Sequence, residues 1–360
     1  MRKKDRTHPQ LRKVGKYNMS HEMVAIIWFG LWGLIWTIYF VLDGYTLGTG
    51  MLFPFLARNR QERNQLQEAV GPFWGGNEVW LITAGGATFA AFPAVYADLF
   101  SFLYTPMMLI LFALFFRAAG LEFMHKDDAP LWQKSWKWAF TISSFALALL
   151  FGVAFANLFY GLKIGPSGYE GTFFSLLHPY GLLGGLLFIS LFIVSGALWV
   201  MLKAVGEVAE RAYAVARPAA IIATVILSLF FVATSNRTPL FHNFTKAPIL
   251  WVVPALTFVC ALLMLLFVWQ KRIGLAFTNI CLTIFTLMAT GFIGMFPNML
   301  PSRINDEYST TLFEAAGSEL NLKIMLGVAI VMVPIVVGYQ LWSYKLFKEK
   351  ITKETAKGYQ

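Results

Sequence analysis

A carboxylate at Asp43 stands at the end of an apolar run that begins near Met23, and residues 24–42 contain no charge. Residues 51–56 are apolar again. Because an ionisable group is costly in hydrocarbon, this position indicates an ion path, a proton relay or a cofactor contact. The alternative is a carboxylate at a helix end, satisfied by backbone N–H groups at the glycine-rich break that follows it.

A second polar stretch, residues 71–86, leads into a later apolar run. Asn77 and Glu78 lie where that helix is expected to begin, so either side chain would cap free N–H groups and face the positive end of the helix dipole. A place on a proton path is the alternative interpretation. Trp74 and Trp80 flank this point and are typical of aromatic residues at a membrane interface.

Glycines accompany both acidic groups. Gly44 and Gly48 follow the first acid, and Gly85 and Gly86 follow the second within its apolar run. Small residues in membrane helices allow another helix to approach closely, so we expect helix packing and subunit contact at these positions and at the neighbouring Trp74 and Trp80. The chain contains neither of the glycine-rich signatures that cradle nucleotide phosphates.

The composition indicates a membrane protein. The chain is 58% hydrophobic and 13% charged, whereas a soluble domain has about a quarter charged residues. The net charge of +10 lies mostly in loops and tails, where basic residues orient membrane helices, so it does not indicate a nucleic-acid partner. Cys260 and Cys281 each lie within an apolar run and are expected to be small buried side chains.

Nine runs are long enough to span a bilayer, which needs about 20 apolar residues per helix. They are Val24–Leu42, Val79–Ala97, Leu99–Phe116, Trp138–Leu162, Tyr180–Leu202, Pro218–Asn236, Ile249–Gln270, Ile273–Pro297 and Ile324–Tyr344. Asp98 alone separates the second and third runs, which predicts a tight hairpin. We predict an all-α polytopic membrane protein in which spans one to four and five to eight form two four-helix bundles, and the ninth span is peripheral.

Basic residues set the predicted orientation. One set of loops is rich in them: Arg58, Arg60, Arg63, Arg117, Lys126, Lys134, Lys137, Lys203, Arg211, Arg217, Lys271 and Arg272. The opposite loops carry Lys163, Arg237, Lys246, Arg303 and Lys323. The first set is therefore cytoplasmic. Nine spans then place the N-terminus outside and the C-terminus in the cytoplasm.

The basic segment 1–18 disagrees with this orientation. We therefore expect translation to begin at Met19, and we expect residues 1–18 to be disordered or a mobile surface segment in either case. Residues 19–346 form a single membrane domain, and residues 347–360 form a cytoplasmic tail.

Histidines are placed away from the predicted spans. His8, His21, His125, His178 and His242 all fall in tails, loops or helix ends. Haem iron usually takes a histidine ligand. We therefore expect no haem, no other metal site and no catalytic residue in this chain, although a haem shared at its surface stays open.

Several motifs together resemble a known family, subunit II of the cytochrome bd quinol oxidases. They are DG at 43–44, LGTGML at 47–52, GNEVWLITAGG at 76–86, FAAFP at 89–93, FFR at 115–117, VAFANL at 153–158, PILW at 248–251, PAL at 254–256 and MFP at 295–297. The resemblance runs from about Met23 into the C-terminal tail.

This resemblance implies a bacterial inner-membrane complex that oxidises quinol and reduces dioxygen to water with protons from the cytoplasm, so that turnover builds a proton-motive force. It places two b-type haems and one d-type haem in subunit I, the partner that this chain would stabilise. It further implies contact with quinol and lipid, a possible structural quinone in an apolar groove, and possible small single-span subunits.

The resemblance also matches Asp43 to an acidic residue implicated in the family's proton path. Two departures stand out: Gly75 and Thr46 occupy positions where many members carry an acid. Glu78 is close enough in sequence to substitute for the first, which is an inference from proximity. We therefore assign the proton path to Asp43, Glu78, Thr46 and Asn77.

Two other functions stay open from the sequence. A secondary transporter also uses intramembrane acids and broken helices, although no pair of discontinuous helices is evident here. A purely structural scaffold subunit would keep Asp43 as a packing residue.

Overall fold

The computed structural model describes residues 19–352 and residue 356. The predictions about the basic segment 1–18 fall on residues outside that part. Twelve α-helices follow one another in it: α1 Met19–Leu56, α2 Arg60–Ala91, α3 Pro93–Phe102, α4 Tyr104–Phe123, α5 Pro130–Tyr160, α6 Pro179–Lys203, α7 Glu207–Arg237, α8 His242–Lys246, α9 Val252–Trp269, α10 Ile273–Met295, α11 Leu312–Ala315 and α12 Glu319–Leu346.

Short elements connect these helices. There are two small antiparallel hairpins, β1 Ile164–Gly165 with β2 Gly168–Tyr169, and β3 Asn298–Leu300 with β4 Thr310–Thr311. Single 3-10 turns lie at Phe173–Leu176, Pro248–Trp251 and Asp306–Tyr308.

Eight of the described helices are long and apolar enough to cross a membrane, and nine segments qualify if the bent pair α2 and α3 counts as one span. The prediction of an all-α, multi-span protein is therefore confirmed. α12 lies at the periphery, since Leu322 is its buried residue and most of its side chains are exposed. The division into two bundles and the orientation stay predictions.

α1 is the central helix of the fold. It packs against α2, α5, α6 and α10, so it contacts helices from both predicted bundles. Its glycines make the closest of these contacts possible: a Cβ at Gly48 would lie 1.8 Å from the carbonyl oxygen of Phe192 on α6. Any side chain on α1 that points inward is therefore surrounded by protein.

The predicted hairpin at Asp98 is wrong. α2 ends at Ala91 and α3 begins at Pro93, and the two helices meet at an angle of 119°. Pro93 has no N–H group to continue the α2 hydrogen bonds, and the residue before a proline is driven out of the helical region. Phe92 has φ −133° and ψ 64°, so the chain turns there and Asp98 lies within α3.

The segment after α10 is tied to the segment after α5 at the predicted outer end. Leu162 donates its N–H to the carbonyl oxygen of Pro301 at 2.8 Å, and Arg303 donates its N–H to the carbonyl oxygen of Leu162 at 3.0 Å. The hydroxyl of Ser302 donates to the carbonyl oxygen of Ile164 at 2.6 Å. These bonds hold the loop that follows β3 in a defined position.

The chain after α12 returns to the ends of two other helices. Ile351 donates its N–H to the carbonyl oxygen of Lys203 at 2.7 Å, and the Gln65 amide donates to the carbonyl oxygen of Ile351 at 3.1 Å. The beginning of the predicted tail, residues 347–352, is therefore attached to α2 and α6.

Candidate functional site

Asp43 lies inside an unbroken helix. α1 continues thirteen residues past it to Leu56, and the Asp43 side chain is fully buried. The alternative of a helix-end carboxylate satisfied at a glycine-rich break is therefore wrong. Gly44 and Gly48 do not interrupt α1, because they lie against Phe192 on α6, where a side chain would collide. Their role within this chain is close packing of two helices.

Arg117 on α4 is the partner of Asp43. Its Nη1 donates to Asp43 Oδ2 at 2.7 Å and its Nη2 donates to Asp43 Oδ1 at 2.6 Å. Arg117 is 1% exposed. Two parallel N–H···O bonds of this kind form the strongest geometry available to a carboxylate and a guanidinium.

The assignment of Arg117 to a cytoplasmic loop is wrong. α4 continues through it to Phe123, so the third span does not end at Phe116. A signal was present in the sequence, because a single cation directly after a long apolar run is as costly in hydrocarbon as the buried acid. Because Arg117 was grouped with the basic residues of the cytoplasmic loops, its pairing with a buried acid was not predicted.

Glu78 is a second acceptor for the same guanidinium. Arg117 Nη1 donates to Glu78 Oε1 at 2.8 Å, and the Glu78 side chain is 20% exposed. The prediction that Asn77 and Glu78 cap a helix is wrong, because α2 begins seventeen residues before Asn77, at Arg60. Asn59 caps it by accepting the N–H of Glu62 at 2.9 Å. Pro72 is accommodated inside α2.

Thr46 completes the cluster one turn after Asp43. Arg117 Nη2 donates to the Thr46 hydroxyl oxygen at 2.7 Å. That hydroxyl in turn lies within donating distance of the Asp43 carboxylate and of the Asp43 carbonyl oxygen. Thr46 therefore supplies neutral hydrogen bonding at the position where the resemblance leads to the expectation of a further acid.

Asn77 joins α2 to α1 rather than to Arg117. Its amide nitrogen donates to the carbonyl oxygen of Leu42 at 2.9 Å and to the Tyr45 hydroxyl at 3.0 Å. The Tyr45 hydroxyl lies 2.7 Å from the hydroxyl of Tyr344 on α12. Asn77 is fully buried, so it fixes the position of α2 beside the cluster.

The two tryptophans differ from the prediction of an interfacial belt. Trp80 is 5% exposed, and its indole N–H donates to Gln340 Oε1 on α12 at 2.8 Å. Trp74 is half-buried against the core. The belt interpretation is therefore wrong for Trp80, which connects α2 to the peripheral helix.

Gly85 and Gly86 lie on the open side of α2. A Cβ at either residue, or at Gly75 or Gly76, would have no heavy atom within 4 Å. These glycines therefore do not pack against another helix of the described chain. Gly75 and Gly86 share the exposed face of α2 with the side chains of Val79 and Ile82, and the partly exposed Glu78 lies at the edge of that face.

The described histidines lie at helix ends and in loops. His178 bonds to Asn157 and to the N–H of Gly181, and His21 bonds to the carbonyl oxygen of Gly317. Within the described residues, no group of three or more histidine, cysteine, aspartate or glutamate side chains converges as a metal site would need. Cys260 and Cys281 are free thiols.

Comparison with known proteins adds an independent finding. The sequence profile of the family "Cytochrome bd terminal oxidase subunit II" matches residues 24–347. The chain is 37% identical over 370 aligned positions to "Cytochrome bd-I ubiquinol oxidase subunit 2" of Escherichia coli K12, covering 93% of this chain and 97% of the relative. It is 31% identical to "Cytochrome bd ubiquinol oxidase subunit 2" of Bacillus subtilis 168, covering 91% of this chain and 96% of the relative.

A solved structure supports the fold. The chain superposes on a chain from the bd oxidase of Geobacillus thermodenitrificans with a TM-score of 0.74 and 15% sequence identity. The superposition covers 90% of this chain and 98% of the other. At that identity the likeness concerns the arrangement of helices and not the chemistry of individual residues.

Proposed function

Because this chain belongs to the cytochrome bd terminal oxidase subunit II family, we propose that its buried cluster of Asp43, Arg117 and Glu78 carries protons from the cytoplasm toward the oxygen-reducing site of the complex. The chain is a subunit of a bd-type quinol oxidase, an oxidoreductase of the bacterial inner membrane. The observation that carries the proposal is that one buried guanidinium serves two carboxylates.

Charge counting explains why this arrangement suits proton transfer. With both acids ionised, the cluster of two carboxylates and one guanidinium has a net charge of −1, and one bound proton makes it neutral. An uncompensated charge in a low-dielectric interior is costly, so the cluster favours binding one proton. The cluster can therefore accept and release a proton while its central ion pair stays intact.

Glu78 is the carboxylate that exchanges the proton. Asp43 receives two bonds from Arg117 and lies beside the Thr46 hydroxyl, whereas Glu78 receives one bond and is partly exposed. Protonating Glu78 therefore breaks fewer charge-assisted bonds than protonating Asp43 does. In this proposal Asp43 and Thr46 hold the guanidinium, and Glu78 exchanges the proton.

The surroundings of the cluster favour access from the predicted cytoplasmic end. Buried polar side chains lie on that side of Asp43: Thr49, Gln65, Gln67, Ser143 and Ser144.

On the other side, an aromatic cluster of Trp36, Phe40, Phe151 and Phe155 fills the space between α1 and α5. The ring centroids of Phe40 and Phe155 are 4.9 Å apart, and those of Trp36 and Phe155 are 5.2 Å apart. We call these four rings the aromatic cluster. It narrows the outward route to two buried polar atoms without a partner in the described chain, Trp36 Nε1 and the Tyr39 hydroxyl, whereas more such atoms lie on the cytoplasmic side.

Unpartnered polar atoms mark where water would extend the path. Arg117 Nε and the Gln67 Oε1 atom are buried, and neither has a hydrogen-bond partner in the described part of the chain. The Gln67 amide nitrogen donates to the carbonyl oxygen of Leu121, one turn beyond Arg117 on α4, at 3.2 Å. Buried polar atoms without protein partners are the usual hydrogen-bonding partners of internal water. Water bound at Gln67 would connect the cytoplasmic end of α2 with the cluster.

We further propose that subunit I docks on the open face of α2. The exposed strip of α2 carries Gly75, Gly76 and Gly86, which allow close approach of a foreign helix, together with the side chains of Val79 and Ile82, and the partly exposed Glu78 borders it. The peripheral α12, whose outward side chains are large and apolar, borders this strip through Trp80 and Gln340. A proton on Glu78 would then be released at the boundary between the two subunits.

The described histidines lie outside the predicted spans, which supports haems that are held outside this chain. His21 and His178 bond to loop and helix-end partners, and the described residues contain no group of three or more histidine, cysteine or acidic side chains that could hold a metal ion. We propose that subunit I holds the two b-type haems and the d-type haem. Whether small single-span subunits join the complex stays a prediction.

An apolar groove is the candidate location for a structural quinone. It has a volume of about 680 Å³ and is bordered by Phe29, Leu34, Leu250, Phe285 and Phe292. Asn243 and Lys246 lie at its predicted outer end. A long isoprenoid tail needs an apolar channel with few polar groups, and this groove has that character. We propose it as a quinone site on that ground.

The test of the main proposal compares two aspartates in the purified oxidase complex. Asp43→Asn is expected to slow oxygen consumption by at least about tenfold, less than the roughly 10²–10⁴-fold typical of a group that transfers the proton itself, with the haem spectrum intact. Asp98→Asn, outside the cluster, is expected to keep the parent rate. A full rate in Asp43→Asn would favour the structural scaffold alternative. The secondary transporter is not favoured by the family.

A further inference from the structure

A cleft at the predicted outer end of the molecule carries a different chemistry from the proton path. It has a volume of about 360 Å³ and lies between the end of α7, the end of α10 and the loop after β3. Arg237 and Arg303 line it from opposite segments, and Asn298, Ser302 and Asp306 contribute its other polar residues. Phe159, Leu240 and Met295 form its apolar side. The volume lies within the range of small-molecule sites, about 300–1,000 Å³.

The two arginines have no carboxylate partner in the described part of the chain. No ion pair within 4.0 Å joins either guanidinium to Asp306 or to another acid there. Arg303 instead lies over the ring of Tyr160, 5.1 Å from its centroid. A guanidinium stacked on an aromatic face keeps its N–H edge free for a ligand.

Two further observations show positive charge concentrated at this cleft. Basic residues are scarce in the predicted outer loops of the described chain, yet two of the five found there line this one cleft. Burial lowers the pKa of His178, and Arg303 and Arg237 lower it further. Two guanidinium groups that line one cleft repel each other, so a bound anion would stabilise the arrangement.

We propose that this cleft binds a phosphate group, with Arg237 and Arg303 as its two anchoring residues. Arginine forks match the geometry of phosphate oxygens and can bind them in bidentate fashion. The apolar side of the cleft suits a phosphate that is attached to a hydrocarbon chain. The phosphate therefore comes either from the headgroup of an anionic membrane lipid or from a free phosphate ester, and the same residues bind both.

The experiment uses the complete oxidase complex, washed with detergent to remove lipid. Native mass spectrometry and thermal unfolding measure the binding of phosphatidylglycerol, glycerol phosphate, inorganic phosphate and, as a phosphate-free control, diacylglycerol with the same acyl chains. Arg237→Gln with Arg303→Gln is expected to weaken binding of the phosphate-bearing ligand by at least about tenfold, since a hydrogen bond to a charged group contributes about 1.5–3 kcal/mol. Lys323→Gln, an outer cation remote from the cleft, is the matched control.

The outcomes separate the sources of the phosphate. Displacement of phosphatidylglycerol by glycerol phosphate or inorganic phosphate would support a site for free phosphate esters. Binding of the lipid alone would support a headgroup site. Equal binding of diacylglycerol, full binding by the double variant, or an equal loss in Lys323→Gln would overturn the proposal. Should the double variant not assemble, Arg303→Lys keeps the charge but lacks the planar fork, and it is expected to show intermediate binding; unchanged binding there would also count against the proposal.

Discussion

Arg117 and Asp43 form a two-bond ion pair in which Nη1 lies 2.7 Å from Oδ2 and Nη2 lies 2.6 Å from Oδ1, with both side chains almost fully buried. The two residues are separated by 74 positions in the sequence. The pair joins α4 to the central helix α1 at the point where Glu78 from α2 also arrives. Three helices therefore meet at a single guanidinium.

The first prediction concerns the stability of this pair. Arg117→Gln leaves two buried acids without a cation, and breaking a buried pair from one side costs about 3–5 kcal/mol. We expect loss of assembled, haem-containing complex in membranes, measured by visible spectroscopy. The double variant Arg117→Gln with Asp43→Asn removes both charges of the pair, and it is expected to recover assembly but not oxygen consumption. Equal assembly of Arg117→Gln and the parent protein would argue against an ion pair that matters for folding.

The second prediction concerns the crossing of α1 and α6. Gly48→Ala would place a Cβ 1.8 Å from the Phe192 carbonyl oxygen, so the helices must separate. Overpacking of this kind costs about 1–3 kcal/mol, and we expect a lower midpoint of thermal unfolding. Gly274→Ala is the matched control, because nothing lies within 4 Å of its Cβ, and alanine is the better helix former. An unchanged midpoint in Gly48→Ala would mean that the two helices are not in contact there.

The third prediction concerns pH. His178 lies outside the spans, its Nδ1 accepts the Gly181 N–H at 3.2 Å, and burial lowers its pKa below the ordinary value of 6.5. The folded protein therefore favours the neutral ring, and the unfolded chain binds the proton more readily. The stabilisation is complete above about pH 6.5 and is lost as the pH falls toward the lowered pKa.

Thermal unfolding of the complex measured at several pH values checks this sign. His178→Gln is expected to show a smaller decrease in midpoint on acidification than the parent protein. His242→Gln, an exposed histidine at the beginning of α8, is expected to retain the parent slope. A steeper slope in His178→Gln would reverse the sign of the argument.

The fourth prediction concerns the aromatic cluster as a barrier to protons. Phe40 is fully buried and contacts Phe155 at 4.9 Å between centroids. Phe40→Asn introduces a hydrogen-bonding group there, and we expect a smaller membrane potential per oxygen consumed in proteoliposomes. Phe40→Leu keeps the site apolar and is expected to retain the parent potential. Equal potentials for the asparagine and leucine variants would show that the barrier lies elsewhere.

The sequence predicted a helical protein with many spans because long apolar runs are set by bilayer thickness, and its number of nine is reached if the bent pair α2 and α3 counts as one span. It misplaced the ends of α2 and α4, since polar and charged residues such as Glu78 and Arg117 are tolerated inside a helix once they bind one another. The burial cost singled out Asp43 correctly as an unusual residue, but the partner of Asp43 depended on how α4 packs. The bend at Pro93 follows from local stereochemistry, whereas the lone charge of Asp98 between two apolar runs predicts a turn at the wrong residue.

The same limits apply to the glycines. Gly48 and Gly86 look alike in sequence, but Gly48 lies against Phe192 and Gly86 faces outward. Which side of a helix faces a neighbour is decided by the whole bundle and not by the local motif. A glycine pattern therefore indicates close approach without saying to which helix or to which subunit.

The central claim is that Glu78 exchanges the proton while the Arg117–Asp43 pair stays intact, and proton uptake by Glu78→Gln during a single turnover tests it most directly. Fully reduced complex is mixed with oxygen, and a pH dye reports uptake alongside the haem absorbance, with Glu122→Gln as the control. We predict normal haem spectra and proton uptake slowed by at least about tenfold in Glu78→Gln, with parent kinetics in Glu122→Gln. Proton uptake at the parent rate in Glu78→Gln would contradict the account.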